Sequence, residues 1–280
     1  MFEVGMKNKS FPIAILQGRL SPDAENRYQF FPVIGWQEEF RKAHNIGFEG
    51  IEWLIDTKKW KQNPIFNTKF HEAEILATKM QLPIVSVCAD WFMDVCIWED
   101  DPELHRSNIR SLFPSLKKTK NKLLLIPFLE KYSILKTDVQ EKVIKVLKPL
   151  SLELENYGIS IGFETELPAS DLISFLGKFE SNSFGVYYDI GNCTSYGFNC
   201  ADDILLLSNR IKGIHLKDRK VGASTPMMLG TGDTDFNGIF RSLSKIDWYG
   251  TLVMQAWRGE DYIGDAQTQL EFIRSFFSKN

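Results

Sequence analysis

Eight short apolar runs recur along the chain, and that repetition restricts the fold more than any single residue does. They are PIAILQ at 12–17, FEGIEWL at 48–54, PIVSVCA at 83–89, KLLLIPF at 122–128, ISIGFE at 159–164, FGVYYD at 184–189, IKGIHL at 211–216 and GTLVMQAW at 250–257. Each has the length of a strand, and near-continuous apolar character is how a strand buried on both faces reads. Between them lie segments with helical spacing: WQEEFRKAHNIG at 36–47, HEAEILATKMQ at 71–81, VQEKVIKVLKPLSLELENYG at 139–158 and DAQTQLEFIRSFFSK at 265–279. Gly47 and Gly158 end two of these just before the next strand, the usual helix stop.

Buried strands alternating with amphipathic helices predict a parallel sheet covered by helices. Eight such units in 280 residues fit an α/β fold of one kind, a single (β/α)8 TIM barrel spanning 1–280 as one domain, better than an open doubly wound sheet. The first strand is not followed by the GxGxxG turn of a dinucleotide-binding fold. No low-complexity stretch or linker divides the chain.

Charge and apolar content narrow the function classes. A net charge of −3 gives no long-range attraction for a polyanion. The short basic run KKTKNK at 117–122 reads as a solvated helix end with its loop, so no nucleic-acid partner is expected. The N-terminus lacks a signal-peptide apolar stretch, and the longest apolar run, LLLIPFL at 123–129, is too short to cross a bilayer, so a cytoplasmic protein without a membrane partner is expected. Cys88, Cys96, Cys193 and Cys200 form no CxxC pair, which argues against zinc held by thiolates.

In a barrel of this kind, chemistry sits at the C-terminal ends of the strands. Four consecutive strands finish with side chains able to bind a metal: Glu164 in SIGFETE, Asp189 in VYYDIGN, His215 in GIHLKD and Gln255 in LVMQAW. Their separations are each about one βα unit. Any one of them alone reads as well as a packing or surface residue. Together they would converge above the barrel, and two carboxylates, an imidazole and an amide oxygen suit one divalent ion: Mn²⁺, Mg²⁺, Co²⁺, Fe²⁺ or Zn²⁺.

The order FET, YDIGN, HLKD, then the GTGDTDF loop at 230–236 and the last strand WYGTLVMQAW, resembles the xylose-isomerase-like TIM-barrel superfamily of sugar and sugar-phosphate isomerases and epimerases. It is most similar to the pentulose- and hexulose-phosphate members. QGRLS at 17–21 and GFEGIEW at 47–53 extend the likeness to the first two strands. The resemblance implies a divalent metal that holds adjacent sugar oxygens while carboxylates move a proton through an enediolate. It also implies a ligand set of Glu, Asp, His and Glu, in which the first and last glutamates are the acid/base pair. Glu164, Asp189 and His215 match this pattern, and Gln255 departs from it.

Glutamine offers a metal its carbonyl oxygen but shuttles no proton near neutral pH. The departure therefore weighs against two-base epimerisation unless another acid substitutes. Asp90 at the end of the third strand and Glu166 just past Glu164 are the candidates, with Glu52 at the end of the second strand a further option; each reads more readily as a supporting or surface carboxylate. Glu52, Arg19, Lys217, Trp257 and Arg258 lie near strand ends and are candidate substrate contacts. Gly230 and Gly232 belong to a loop that could bind phosphate through backbone N–H groups or could be a plain turn. Trp36, Trp53 and Trp91, with Trp257, could wall a sugar pocket or could pack between layers. The expected partner is a small carbohydrate, and a homo-oligomer stays open. A metal-dependent sugar or polyol dehydratase and a non-catalytic sugar-binding barrel remain alternatives; an abasic-site endonuclease is disfavoured by four histidines and an acidic chain.

If Gln255 is a ligand, Gln255→Glu adds an anionic oxygen and should tighten divalent-metal binding by about 1–3 kcal/mol, read by calorimetric titration. Unchanged affinity would mean that the residue does not face the ion.

Overall fold

The computed structural model describes residues 10–22, 27, 29–58, 60–99 and 101–277. Eight strands, β1 (Ile13–Leu16), β2 (Gly50–Leu54), β3 (Ile84–Cys88), β4 (Leu123–Phe128), β5 (Ser160–Thr165), β6 (Phe184–Asp189), β7 (Ile211–Leu216) and β8 (Leu252–Met254), lie in sequence order. They form a closed barrel in which β8 pairs in parallel with β1. Helices alternate with the strands, and the molecule is a TIM barrel. No helix among the described residues is long and apolar enough to cross a membrane.

The expected elements recur with instructive shifts. The helix expected over 139–158 is divided into Thr137–Leu147 and Ser151–Tyr157 by a tight turn at Lys148–Leu150. Pro149 lies at the break, where its missing N–H and its ring exclude a continuous helix. The last helix starts earlier than expected and runs Tyr262–Ser275, capped by the Asp261 side chain; residues 278 and 279 of the expected range lie outside the described residues. The eighth strand is far shorter than 250–257. It is laddered to β1 from Ile13↔Leu252 to Ile15↔Met254 and to β7 from Ile214↔Leu252 to Leu216↔Met254, after which the chain leaves the sheet. Gln255 is the first residue beyond, still tied to β7 by its N–H to the Leu216 carbonyl at 3.1 Å.

Alternate strand residues divide the apolar interior in two. Ala14, Leu16, Leu54, Val85, Leu125 and Val253 belong to an inner cluster, while the opposite faces of the strands pack with the helices in the main core. Trp53 belongs to that outer layer, 5.3 Å from Trp36 and 5.1 Å from Phe70 between ring centroids, with its Nε1 donating to Asn63. Trp91 is buried and stacked on the partly buried Trp60. These three tryptophans are packing residues between the layers.

Inside the barrel, a small polar column interrupts the apolar filling. Glu52 on β2 is aligned with Ser86 on β3, and Tyr187 on β6 reaches across to it. Tyr187 has room only because residue 213 is glycine: a Cβ there would come within 2.5 Å of the ring. Gly213→Ala should therefore destabilise the protein by about 1–3 kcal/mol, the range for overpacking a filled core, measured by chemical denaturation. A loss below about 0.5 kcal/mol would mean that the ring yields freely, as a surface substitution would.

Candidate metal centre at the barrel mouth

Glu164, Asp189 and His215 come together where β5, β6 and β7 end. Asp189 and His215 are register partners across β6 and β7, so both side chains leave the sheet at one level. One ligand atom from each of the three lies within 4.8 Å of the others. His215 Nδ1 is 3.8 Å from Glu164 Oε2 and 3.9 Å from Asp189 Oδ2. All three side chains are buried.

The groups beneath and beside them decide which atoms face the gap. His215 Nε2 lies 2.7 Å from Glu52 Oε2, and an imidazole that donates there keeps its lone pair on Nδ1. Nδ1 itself is buried and has no hydrogen-bond partner among the described residues. Asp189 caps the short helix Ile190–Ser195: its Oδ1 accepts from the Asn192 N–H at 2.8 Å, and its Oδ2 accepts from Lys217 Nζ at 2.8 Å. Asn192 also donates from Nδ2 to Glu164 Oε1 at 2.6 Å, leaving Oε2 toward the histidine. Asn192 therefore links two of the three carboxylate and imidazole groups, a role not drawn from the YDIGN run. The signal was present, since an asparagine three residues after a capping aspartate lies in the first helical turn, beside whatever the aspartate faces.

Packing several ionisable groups into one dry space shifts them. Burial, reinforced by the Asp189 charge, pushes the Glu164 carboxyl up to about 7. Burial pushes Asp189 the same way, but Lys217 and His215 outweigh it and hold that carboxyl below its ordinary value. Burial alone would lower His215, yet Glu52 and the two mouth carboxylates raise it.

A second cluster adjoins the first. Asp90, just past β3, is partly exposed; burial raises its carboxyl above the ordinary value against the lowering effect of its hydrogen bond from Gln29. Gln29 Nε2 donates to Asp90 Oδ2, while Gln29 Oε1 accepts from Arg19 at 2.9 Å and from Gln255 Nε2 at 3.0 Å. Gln255 Oε1 is buried and has no hydrogen-bond partner among the described residues. Gln29 was not anticipated from the sequence, because it lies in a long connection after β1 with no motif around it.

Several expected substrate contacts are committed elsewhere. Glu52 faces no sugar: it is fully buried, and Ser86 Oγ at 2.6 Å, Tyr187 Oη at 2.5 Å and His215 take its oxygens. Lys217 is bound to Asp189 and, at 3.4 Å, to Asn192 Oδ1. Arg258 donates to the Ser21 and Arg27 carbonyls and covers the Phe30 ring at 4.9 Å, pinning the connection after β1. Arg19 is held by Gln29. Trp257 is half-buried beside Gly259, its carbonyl accepting from Gln269. Glu166 lies at the rim and accepts from the Glu130 N–H at 3.4 Å.

The glycine loop after β7 wraps around a side chain of this protein. The N–H groups of Gly230 and Gly232 both donate to Asp218 Oδ2, at 2.8 and 2.9 Å, and the Thr234 N–H donates to Oδ1 at 3.2 Å. Asp218 is fully buried, so an internal carboxylate occupies the nest, which favours the plain-turn reading over the phosphate one. Gly230 is needed for the wrap itself: its φ of +88° is left-handed, and a Cβ would lie 2.6 Å from Phe272.

The donor set fits a divalent cation. Two buried carboxylates face an imidazole nitrogen that has no hydrogen-bond partner among the described residues, and the Gln255 oxygen, likewise without one there, is a further acceptor of the right chemistry.

Barrel and site together define a class: residues 40–276 match the family described as Xylose isomerase-like TIM barrel, and the chain belongs to it. Among curated relatives, the provisionally named L-ribulose-5-phosphate 3-epimerase SgbU of Haemophilus influenzae is 23% identical over 245 residues, covering 80% of this chain and 84% of its own. Among solved structures, a D-allulose 3-epimerase from Methylomonas sp. in complex with D-allulose superposes with a TM-score of 0.72 at 16% identity, over 95% of this chain and 96% of that one. The IOLI protein, solved with a bound zinc atom, gives a TM-score of 0.71 at 15% identity, over 96% of this chain and 100% of its own.

A cation entering this gap competes with protons for Glu164 and His215, both raised above their ordinary values. Protons therefore compete more strongly as pH falls: Mn²⁺ affinity should drop from pH 8 to pH 6, by up to about tenfold per unit for each proton displaced. Titration calorimetry in buffers of different ionisation heat checks both the slope and the protons released.

Proposed function

We propose that the protein is a divalent-metal-dependent epimerase or isomerase of a small sugar. The observation that carries this reading is the convergence of Glu164, Asp189 and His215, with His215 Nδ1 left without a hydrogen-bond partner among the described residues. The similarity to sugar epimerases of the same family supports it. When bound, the ion would act as a Lewis acid on adjacent carbonyl and hydroxyl oxygens of the sugar, making the neighbouring C–H acidic.

The chain's own groups then have distinct parts. Glu164 presents Oε2 to the mouth and takes the proton from carbon; Asn192 fixes its other oxygen. Gln255 shuttles no proton, so a second transfer falls to Asp90, which is partly exposed, comes from a different strand and is steadied by Gln29. Lys217 keeps Asp189 ionised. With the nest after β7 taken by Asp218, and with Lys217, Arg19 and Arg258 engaged by other groups, the mouth favours an unphosphorylated sugar over a sugar phosphate.

The test is deuterium incorporation from heavy water into a panel of pentuloses and hexuloses and their phosphates, with Mn²⁺ present. Exchange into at least one free ketose is expected. Glu164→Gln should reduce it by about 10²- to 10⁴-fold, the usual range for losing a positioned proton-transfer group. Asp90→Asn should suppress epimer formation more than exchange. No exchange into any sugar would overturn the proposal, and loss of water from the sugar would move it to a lyase.

A further inference from the structure

We infer that Gln29 is a positioning residue that sets which end of the Gln255 amide is left to face the metal site. The inference rests on the reading of a divalent ion at Glu164, Asp189 and His215 with the unpartnered Gln255 oxygen as its fourth donor. An amide has two ends of opposite character, and only its oxygen can bind a cation. A carboxylate in the same place would present an acceptor in either orientation and need no such guidance.

The hydrogen bonds fix the choice step by step. Arg19 has only donors to offer, and its terminal nitrogen lies 2.9 Å from Gln29 Oε1. Gln29 Nε2 then points the other way, to Asp90 Oδ2. Turning the Gln29 amide over would set its NH2 against the guanidinium and its oxygen against a carboxylate. With Gln29 Oε1 so held, Gln255 must offer Nε2 to it, at 3.0 Å, and Gln255 Oε1 is left buried without a partner among the described residues. Turning Gln255 over would place two carbonyl oxygens together and put an NH2 where the unpartnered oxygen now lies. The arrangement passes polarity from an obligate donor through two amides to the orphaned oxygen.

The experiment is Mn²⁺ titration of the intact protein in four forms: wild type, Gln29→Leu, Gln255→Glu and the double variant, with thermal midpoints recorded for each. Gln29→Leu should weaken Mn²⁺ binding on the order of tenfold in the wild-type background, as removal of a group that orients a metal ligand does. In the Gln255→Glu background the same change should cost less than about twofold, because a carboxylate has no wrong end. Equal losses in both backgrounds, or no loss in either, would overturn the relay. If the wild type itself binds no Mn²⁺, the metal reading fails with it; if it binds and Gln29 has no effect, only the relay fails.

Discussion

The pairing of His215 with Glu52 is the contact on which the mouth of this barrel depends. Both side chains are withdrawn from solvent, and an ionised carboxylate in such a place is costly unless its oxygens are met by donors. Three are supplied from three different strands: Ser86 on β3, Tyr187 on β6 and His215 on β7. The carboxylate thus knits the barrel interior and also chooses the imidazole face turned upward. Without it, neither the tautomer nor the direction of Nδ1 would be set, and the two carboxylates above would face a donor as readily as an acceptor.

Opposing charges make the crowding tolerable. Glu164 and Asp189 lie close enough to raise one of them, and Lys217 divides the burden by binding the other. A cationic lysine committed in this way stabilises the metal-free arrangement and keeps Asp189 available as an anion. Asp218 performs the equivalent service for the loop after β7, satisfying three backbone N–H groups. The same donors that make such loops attractive to phosphate are used here for internal structure, which is why a glycine-rich sequence alone misleads about ligands.

The connection after β1 reaches the site by a different route. Arg258, from just past β8, grips its carbonyls, and Asp56 accepts from the Phe31 N–H to hold its far end. Gln29 is thereby brought beside Asp90 and Gln255. Looseness in this segment would be felt at Asp90 and Gln255, so the anchoring by Arg258 and Asp56 serves the barrel mouth.

The sequence by itself determined the eight-unit barrel, the strands on which Glu164, Asp189 and His215 lie, and the anomaly of Gln255. These are legible because strand burial and helical spacing are local patterns, and because the end of a strand in this architecture is a known place. Only the tertiary structure decided what each polar residue faces. Glu52 ends near the top of its strand like the ligands do, yet a register shift between Ile51 and Glu52 against β3 aligns it with Ser86 and leaves it beneath His215. Lys217, Asp218 and Arg258 carry charges that suit a substrate, but their partners are far away along the chain and unknowable from spacing. Gln29 has no local signature at all; it matters because chain closure brings a residue after the first strand against one after the last. A pattern of residue types specifies which surfaces are buried, whereas hydrogen-bond direction depends on which donors and acceptors the closed barrel finally places within 3 Å of each other.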